Sequence, residues 1–202
     1  WRLINMSDLI KHAGEFRRAM ETHQYERTDD GGIYFPKAKT VASGMYVHDV
    51  NGLDERQDPN ILPDEGLLYL LSVGVNNGTK VTAWYLSLYA GNYTPVAGLT
   101  AASYPATAGE ITSGTEGYTE STRRAWSIAT PAANIADNLA SKAAFTIATA
   151  SSLTVNGAAL SSISTKGAVT GTLLSATKFA STRTLYNTDV FNIGYRVQLT
   201  SS

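Results

Sequence analysis

The amino-acid sequence predicts a mainly β protein, in which an antiparallel β-sandwich or jelly-roll-like body follows an N-terminal helical, extended arm. The first observation is charge: residues 1–65 hold 8 basic and 12 acidic side chains, whereas residues 66–202 hold 8 and 5. The second is that apolar residues beyond residue 67 recur with period two, in short runs separated by turns. Several such runs at roughly ten-residue spacing are typical of a sandwich. We therefore divide the chain into a charged N-terminal arm, residues 1–65, and a β-sandwich body, residues 66–202.

The arm begins with one amphipathic helix. Ser7 or Asp8 can cap its first turn, and apolar residues then recur at three- and four-residue spacing on one face. These residues are Leu9, Ala13, Phe16 and Met20. A single short helix is marginal in water, so this stripe needs a cover, which is either the protein's own body or a neighbouring subunit. We expect the four residues to bind a partner subunit, with the acidic segment 49–65 as a solvated spacer.

Short strands and turns account for most of the remaining chain. Two β-like pieces, residues 32–35 and 43–47, lie in the arm. In the body, residues 81–88 follow a turn at residues 76–79, where Asn-Gly favours a tight hairpin. The later strand candidates are residues 125–128, 143–149, 153–160, 171–180 and 190–199, with a bulge at Asn156-Gly157, while residues 131–142 form a short helix or a loop. We expect Trp84 and Phe145 to lie in the core because each sits within an apolar-rich strand.

Composition and spacing argue against catalysis and against several kinds of partner. The chain has no cysteine, its three histidines are His12, His23 and His48, and no Gly-x-Ser-x-Gly elbow is present. Carboxylate pairs for glycoside cleavage could be drawn from Glu110, Glu116, Glu120 and Asp137, although only their separation in space decides this. We expect no enzymatic activity, no catalytic residue, no cofactor and no bound metal, with the histidines satisfied or solvated.

Charge and hydropathy also limit the partners. Net charge is −1 and no basic run exceeds two residues, so nucleic acid is not expected. No apolar stretch approaches the roughly 20 residues of a membrane-spanning helix, so no membrane partner is expected. Aromatic residues could instead line a sugar-binding surface, and the candidate surface aromatics are Tyr89, Tyr93, Tyr104 and Tyr118. Packing in the core or at a protein interface is the favoured alternative for these tyrosines.

A resemblance to a known group of proteins covers residues 66–199. An aliphatic run, residues 68–71, leads into a strand that reads Thr-Ala-Trp-Tyr-Leu-Ser-Leu at residues 82–88. Further similar pieces keep the same order along the chain: residues 116–120, 123–126, 144–147, 165–173, 179–183 and 189–197. Together these pieces resemble structural proteins of tailed-bacteriophage virions.

The resemblance implies a virion protein with a β-sandwich body and no catalytic residue to carry over. We expect a capsid decoration (cement) protein that forms a homo-oligomer and binds other virion proteins, either the major capsid protein or tail subunits. Its expected location is the virion, assembled in the cytoplasm of the bacterial host. The alternatives are a tail or baseplate component, and a carbohydrate- or receptor-binding fibre domain.

Overall fold

The computed structural model describes the backbone of residues 26–27, 33–34, 40–128, 131 and 133–201, and the side chains of residues 41–128, 131 and 133–200. The chain divides into two units, residues 1–41 with 200–202, and residues 42–199. In the first unit, strands β1 (Glu26–Arg27) and β2 (Ile33–Tyr34) pair antiparallel. The predicted arm helix lies outside the described residues.

β-Strands are the main secondary structure of the described chain. The strands are β3 (Thr40–Val50), β4 (Leu53–Pro59), β5 (Tyr85–Tyr89), β6 (Gly117–Tyr118), β7 (Arg124–Ala125), β8 (Ile135–Asp137), β9 (Ala143–Ala148), β10 (Leu153–Ser161), β11 (Leu173–Leu185) and β12 (Val190–Ser201). They form a four-stranded sheet in the order β11-β10-β5-β7 and a six-stranded sheet in the order β4-β3-β12-β9-β6, with β8 also paired to β12. Two α-helices, α1 (Asp64–Val75) and α2 (Tyr104–Ala108), and a 3₁₀ helix (Leu139–Ser141) complete the described structure.

One hydrophobic core joins the two sheets. It combines Leu88 of the four-stranded sheet with Phe145 and Phe191 of the six-stranded sheet, all fully buried. Along β9 the residues alternate between buried and half-buried, as in a strand with one face on a core. The mainly β, antiparallel, sandwich-like body is therefore confirmed. Phe145 is a core residue as predicted, whereas Trp84 is only partly buried against the core.

The four C-terminal strand predictions match β9 to β12 closely. The predicted bulge is also present, because the register of β10 against β11 shifts between Val155 and Gly157. A side chain at Gly157 would overlap the carbonyl oxygen of Thr177 and the ring of Tyr89. Glycine thus permits the close backbone approach that the irregular strand makes at this point.

The period-two interpretation is wrong for residues 67–75, which form most of α1. Asp64 and Glu65 lie in its first turn, where negative charge is favourable to the helix dipole. The residues predicted as a hairpin turn instead end this helix: the N–H groups of Asn76 and Gly78 both donate to the carbonyl oxygen of Ser72. The stretch predicted as helix or loop, residues 131–142, contains β8 and the 3₁₀ helix.

The predicted boundary at residue 65 is also wrong, because β3 and β4 belong to the six-stranded sheet of the body. Residues 49–65 are accordingly not a solvated spacer, since the side chains of Asp49 and Asp58 are buried. Asp58 accepts hydrogen bonds from His48 and from the N–H of Ala180. Some of the charged residues in residues 1–65 therefore belong to a buried polar network within the body.

Candidate functional site

The N-terminal turn of α1 is fixed to the body by its own polar and small residues. One oxygen of the Glu65 carboxylate accepts hydrogen bonds from the N–H groups of Ala101, at 2.8 Å, and Leu173, at 2.9 Å. Gly66 is buried against the carbonyl oxygen of Leu174, at a place with no room for a side chain. The helix therefore approaches β11 closely.

The inner face of α1 is anchored by aromatic packing. The ring of Tyr69 meets Trp84 edge-on, with centroids 5.1 Å apart, and its hydroxyl accepts a hydrogen bond from the N–H of Val81 at 2.9 Å. Tyr69 and Leu70 both pack against the main core. Contacts on one side and at one end thus hold the helix in a single orientation.

The opposite side of α1 is apolar and exposed. Leu67 is 44% exposed, Leu68 67%, Leu71 61% and Val75 76%. We call these four residues the outer face of α1. Apart from Asp64 and Glu65 in the first turn, α1 carries no charged residue.

Exposure of this kind is unusual for a helix. A helix that is hydrophobic all round is normally buried, and contiguous apolar patches larger than a few hundred Å² on soluble proteins mark interaction sites. Burying one leucine or valine side chain contributes about 1.5–3 kcal/mol. Because the inner face already packs on the core, only another molecule or another segment can cover the outer face. The outer face is therefore the candidate functional site, and its chemistry fits apolar association with protein.

Of the residues predicted to bind a partner or a glycan, the structure describes only the four tyrosines. Leu9, Ala13, Phe16 and Met20 lie outside the described residues. The prediction that Tyr89, Tyr104 and Tyr118 lie on the surface is wrong, because all three side chains are buried. Tyr93 is half-buried.

Hydrogen bonds and ring packing explain the burial of the three tyrosines. The Tyr89 hydroxyl donates to the carbonyl oxygen of Thr177 at 2.8 Å, and the Tyr104 hydroxyl lies 2.9 Å from the hydroxyl oxygen of Ser87. Tyr118 packs edge-on against Phe145. Burial raises the pKa of all three phenols. These rings serve packing and do not form a binding platform for sugars.

The prediction that the histidines are satisfied or solvated is confirmed for His48. Its side chain is fully buried; Nε2 lies 2.8 Å from Asp58, and Nδ1 lies 3.1 Å from Nε of Arg183. His12 and His23 lie outside the described residues. Within the described part of the chain, no group of three His, Asp or Glu residues is arranged to hold a metal ion.

The carboxylates considered for glycoside cleavage are engaged in structural contacts. Glu110 forms a two-point ion pair with Arg123, at 2.6 and 2.7 Å, and both side chains are buried. Glu116 accepts from the hydroxyl of Thr149, and Glu120 from the N–H and hydroxyl of Thr146. Asp137 pairs with Arg196 at 2.8 Å.

An open cleft of about 380 Å³ has a cationic lining that includes Arg124 and Lys142. The ammonium group of Lys142 is already paired with Asp49, at 2.8 Å, and with Glu55. Because these two carboxylates already neutralise the charge of Lys142, the cleft is a weaker candidate binding site than the outer face of α1.

Comparison with known proteins adds no identification. No protein-family model matches the chain, and neither does any curated protein. Among the described residues, no helix is both long and apolar enough to cross a membrane.

The sequence analysis did not predict helix α1 or its outer face, although residues typical of a helix start and a helix end are present. Pro63 and two acidic residues precede an uninterrupted, uncharged stretch, residues 66–75, which ends at Asn-Asn-Gly. Helix-start and helix-stop residues around a stretch of this length favour a helix over a strand.

Proposed function

We propose that this chain is a structural virion protein of a tailed bacteriophage, acting as a capsid decoration (cement) protein that binds neighbouring subunits. The observation that carries the proposal is the exposed, uncharged outer face of α1 on a body that fixes the helix firmly. Such a face supports assembly with other proteins. The resemblance of residues 66–199 to structural proteins of tailed-bacteriophage virions supports a virus particle as the assembly.

Several charged side chains of the body form ion pairs that hold it together, such as Glu110 with Arg123 and Asp137 with Arg196. We include the jelly-roll form of the sandwich in the proposal, supported by the position of the last strand, β12, beside the first strand of the large sheet, β3. Greek-key folds likewise use a long connection to return the chain to a position beside an early strand.

The proposed partners are other virion proteins, either the major capsid protein or tail subunits, together with further copies of this chain. The proposed location is the virion, assembled in the bacterial cytoplasm. The proposal includes no enzymatic activity, no cofactor, and no nucleic-acid or membrane partner. A glycan-binding fibre domain is the weaker alternative, because Trp126 is buried and its ring N–H donates to the carbonyl oxygen of Tyr195.

Counting copies in purified particles tests the proposal. Particles of the virus that encodes the chain are purified, and the molar ratio of this chain to the major capsid protein is measured by quantitative mass spectrometry. A ratio corresponding to hundreds of copies is expected, because decoration follows the repeated symmetry of the shell. A few dozen copies or fewer would move the protein to the tail or baseplate. Absence from the particles would overturn the proposal.

A further inference from the structure

The open cleft of about 380 Å³ lies where β7, the end strand of the four-stranded sheet, approaches β9 of the six-stranded sheet. Its lining includes three cations, Arg123, Arg124 and Lys142, and four side chains that carry hydroxyl groups. These four are Tyr85, Thr122, Ser127 and Ser141. None of the described residues that line the cleft is an aspartate or a glutamate. The lining is therefore rich in hydrogen-bond donors and free of described carboxylates that would repel an anion.

The three cations of the cleft differ in how their charges are balanced. Arg123 is paired with Glu110, and Lys142 is paired with Asp49. Arg124 takes part in none of the ion pairs that the described residues form with one another. Arg124 therefore supplies the net positive charge of the lining.

The guanidinium group of Arg124 is also incompletely satisfied by hydrogen bonds. The side chain is half-buried, and its Nε atom is enclosed by the protein without an acceptor among the described residues. Leaving a buried donor of a charged group without a partner is costly, and such a group in a native protein calls for a physical explanation. Packing at this position holds a charge that an external counter-ion would stabilise.

The shape of the guanidinium group determines which counter-ion fits. Arginine presents its N–H donors in a rigid planar fork that matches two oxygen atoms of a carboxylate or of a phosphate group. Because Nε is enclosed, the two Nη atoms of Arg124 are the donors that remain for a ligand in the cleft. The volume of the cleft lies within the range of small-molecule sites, about 300–1,000 Å³. There is accordingly room for the molecule that carries the anionic group.

We propose that this cleft binds an oxyanion group, a carboxylate or a phosphate, through the Nη atoms of Arg124, with the hydroxyl groups of the lining as further donors. Arg124 determines the binding, because the charges of Arg123 and Lys142 are already balanced within the protein. The site goes beyond the proposed function and does not depend on it, since binding takes place in the single chain and requires no particle.

Nuclear magnetic resonance of the isotope-labelled full-length protein tests the site directly. The Nε–H signal of Arg124 is identified as the one that disappears in Arg124→Gln. The parent protein is titrated at neutral pH with inorganic phosphate and, separately, with acetate. Sodium chloride keeps the ionic strength constant, so that general screening of charges does not change during the titration.

We expect at least one of the two anions to shift the Arg124 signal with a saturable dependence on concentration. The anion with the lower midpoint identifies the preferred group, phosphate or carboxylate. Shifts no larger than those produced by chloride alone, for both anions, would overturn the inference. This measurement uses the parent protein, so it remains decisive even if Arg124→Gln is poorly folded.

A pair of variants that remove the same charge tests the role of Arg124. Arg124→Gln is compared with Lys80→Gln, which removes a positive charge from an exposed position. Because a ligand that binds the folded state raises the melting temperature, thermal unfolding at increasing concentrations of the preferred anion gives its apparent affinity. We expect at least about tenfold weaker binding in folded Arg124→Gln and unchanged binding in Lys80→Gln. Equal affinities in the two variants would overturn the assignment to Arg124.

Discussion

Arg183 donates its Nε proton to Nδ1 of His48 across 3.1 Å in the interior of the body. A guanidinium group has no acceptor, so Nδ1 of the histidine must be unprotonated. The remaining ring proton therefore lies on Nε2 and is donated to Asp58 at 2.8 Å. Burial, which is the largest influence, lowers the pKa of His48 despite its hydrogen bond to that carboxylate.

Stability should fall in mild acid because of this histidine. The pKa of His48 in the folded protein lies below the value of about 6.5 expected for the unfolded chain. Between these two values the unfolded chain binds a proton that the folded protein does not, so the free energy of unfolding decreases as pH falls below about 6.5. Urea denaturation at pH 7.5 and 5.5 measures the change.

The other two histidines supply the control. Replacing both, as His12→Gln/His23→Gln, should leave most of the pH-dependent loss in place, whereas His48→Gln should remove it even if that variant is less stable at every pH. A loss that persists unchanged in His48→Gln would show that the buried network is not its source.

The buried pair of Glu110 and Arg123 should be costly to break. Both side chains are almost completely buried, and two hydrogen bonds join them. Removing one partner leaves an uncompensated buried charge, which typically costs about 3–5 kcal/mol. We expect Arg123→Met to lower the free energy of unfolding by about that amount in urea denaturation.

An exposed ion pair with a similarly short contact provides the comparison. Arg56 lies 2.6 Å from Asp54, with 39% and 58% of the two side chains exposed. Arg56→Met should therefore cost less than about 1 kcal/mol. Similar losses from Arg56→Met and Arg123→Met would contradict the assignment of Arg123 to a desolvated site.

Replacing Gly157 by alanine should lower the stability of the protein. An added Cβ would overlap the carbonyl oxygen of Thr177 and the ring of Tyr89, so Gly157→Ala must displace β10 or the tyrosine. We expect a loss of about 1–3 kcal/mol, as in other overpacked cores, measured by chemical denaturation. Gly114→Ala, where no atom lies within 4 Å of the new carbon, should change stability little. Equal effects of the two substitutions would mean that the contacts at Gly157 are wrongly placed.

Strand β9 was predictable because its two faces meet different environments. In β9, alternate residues such as Phe145 and Ile147 are buried while their neighbours are half-buried, and this difference appears directly as period two in the sequence. Helix α1 has no comparable signal in its apolar residues. Leucines occur on both its core side and its outer face, so the sequence lacks the polar side that would indicate a helix.

The polar network and the buried tyrosines were not predictable for a different reason. Whether Tyr89 or Tyr118 is buried depends on neighbours far away in sequence, such as Thr177 and Phe145. Asp58 similarly reads as a solvated turn residue, yet it accepts a hydrogen bond from the N–H of Ala180 in β11. Local patterns carry no information about such distant partners.

The most direct test of the account replaces two leucines of the outer face of α1. Leu68→Asp/Leu71→Asp places charge on the exposed side of the helix, so the melting temperature of the purified protein should be nearly unchanged. The amount of the chain in purified particles, relative to the major capsid protein, should fall by about tenfold or more, whereas Val169→Asp at another exposed site should be incorporated normally. Normal incorporation of the folded double variant would contradict the claim that this face is an assembly surface.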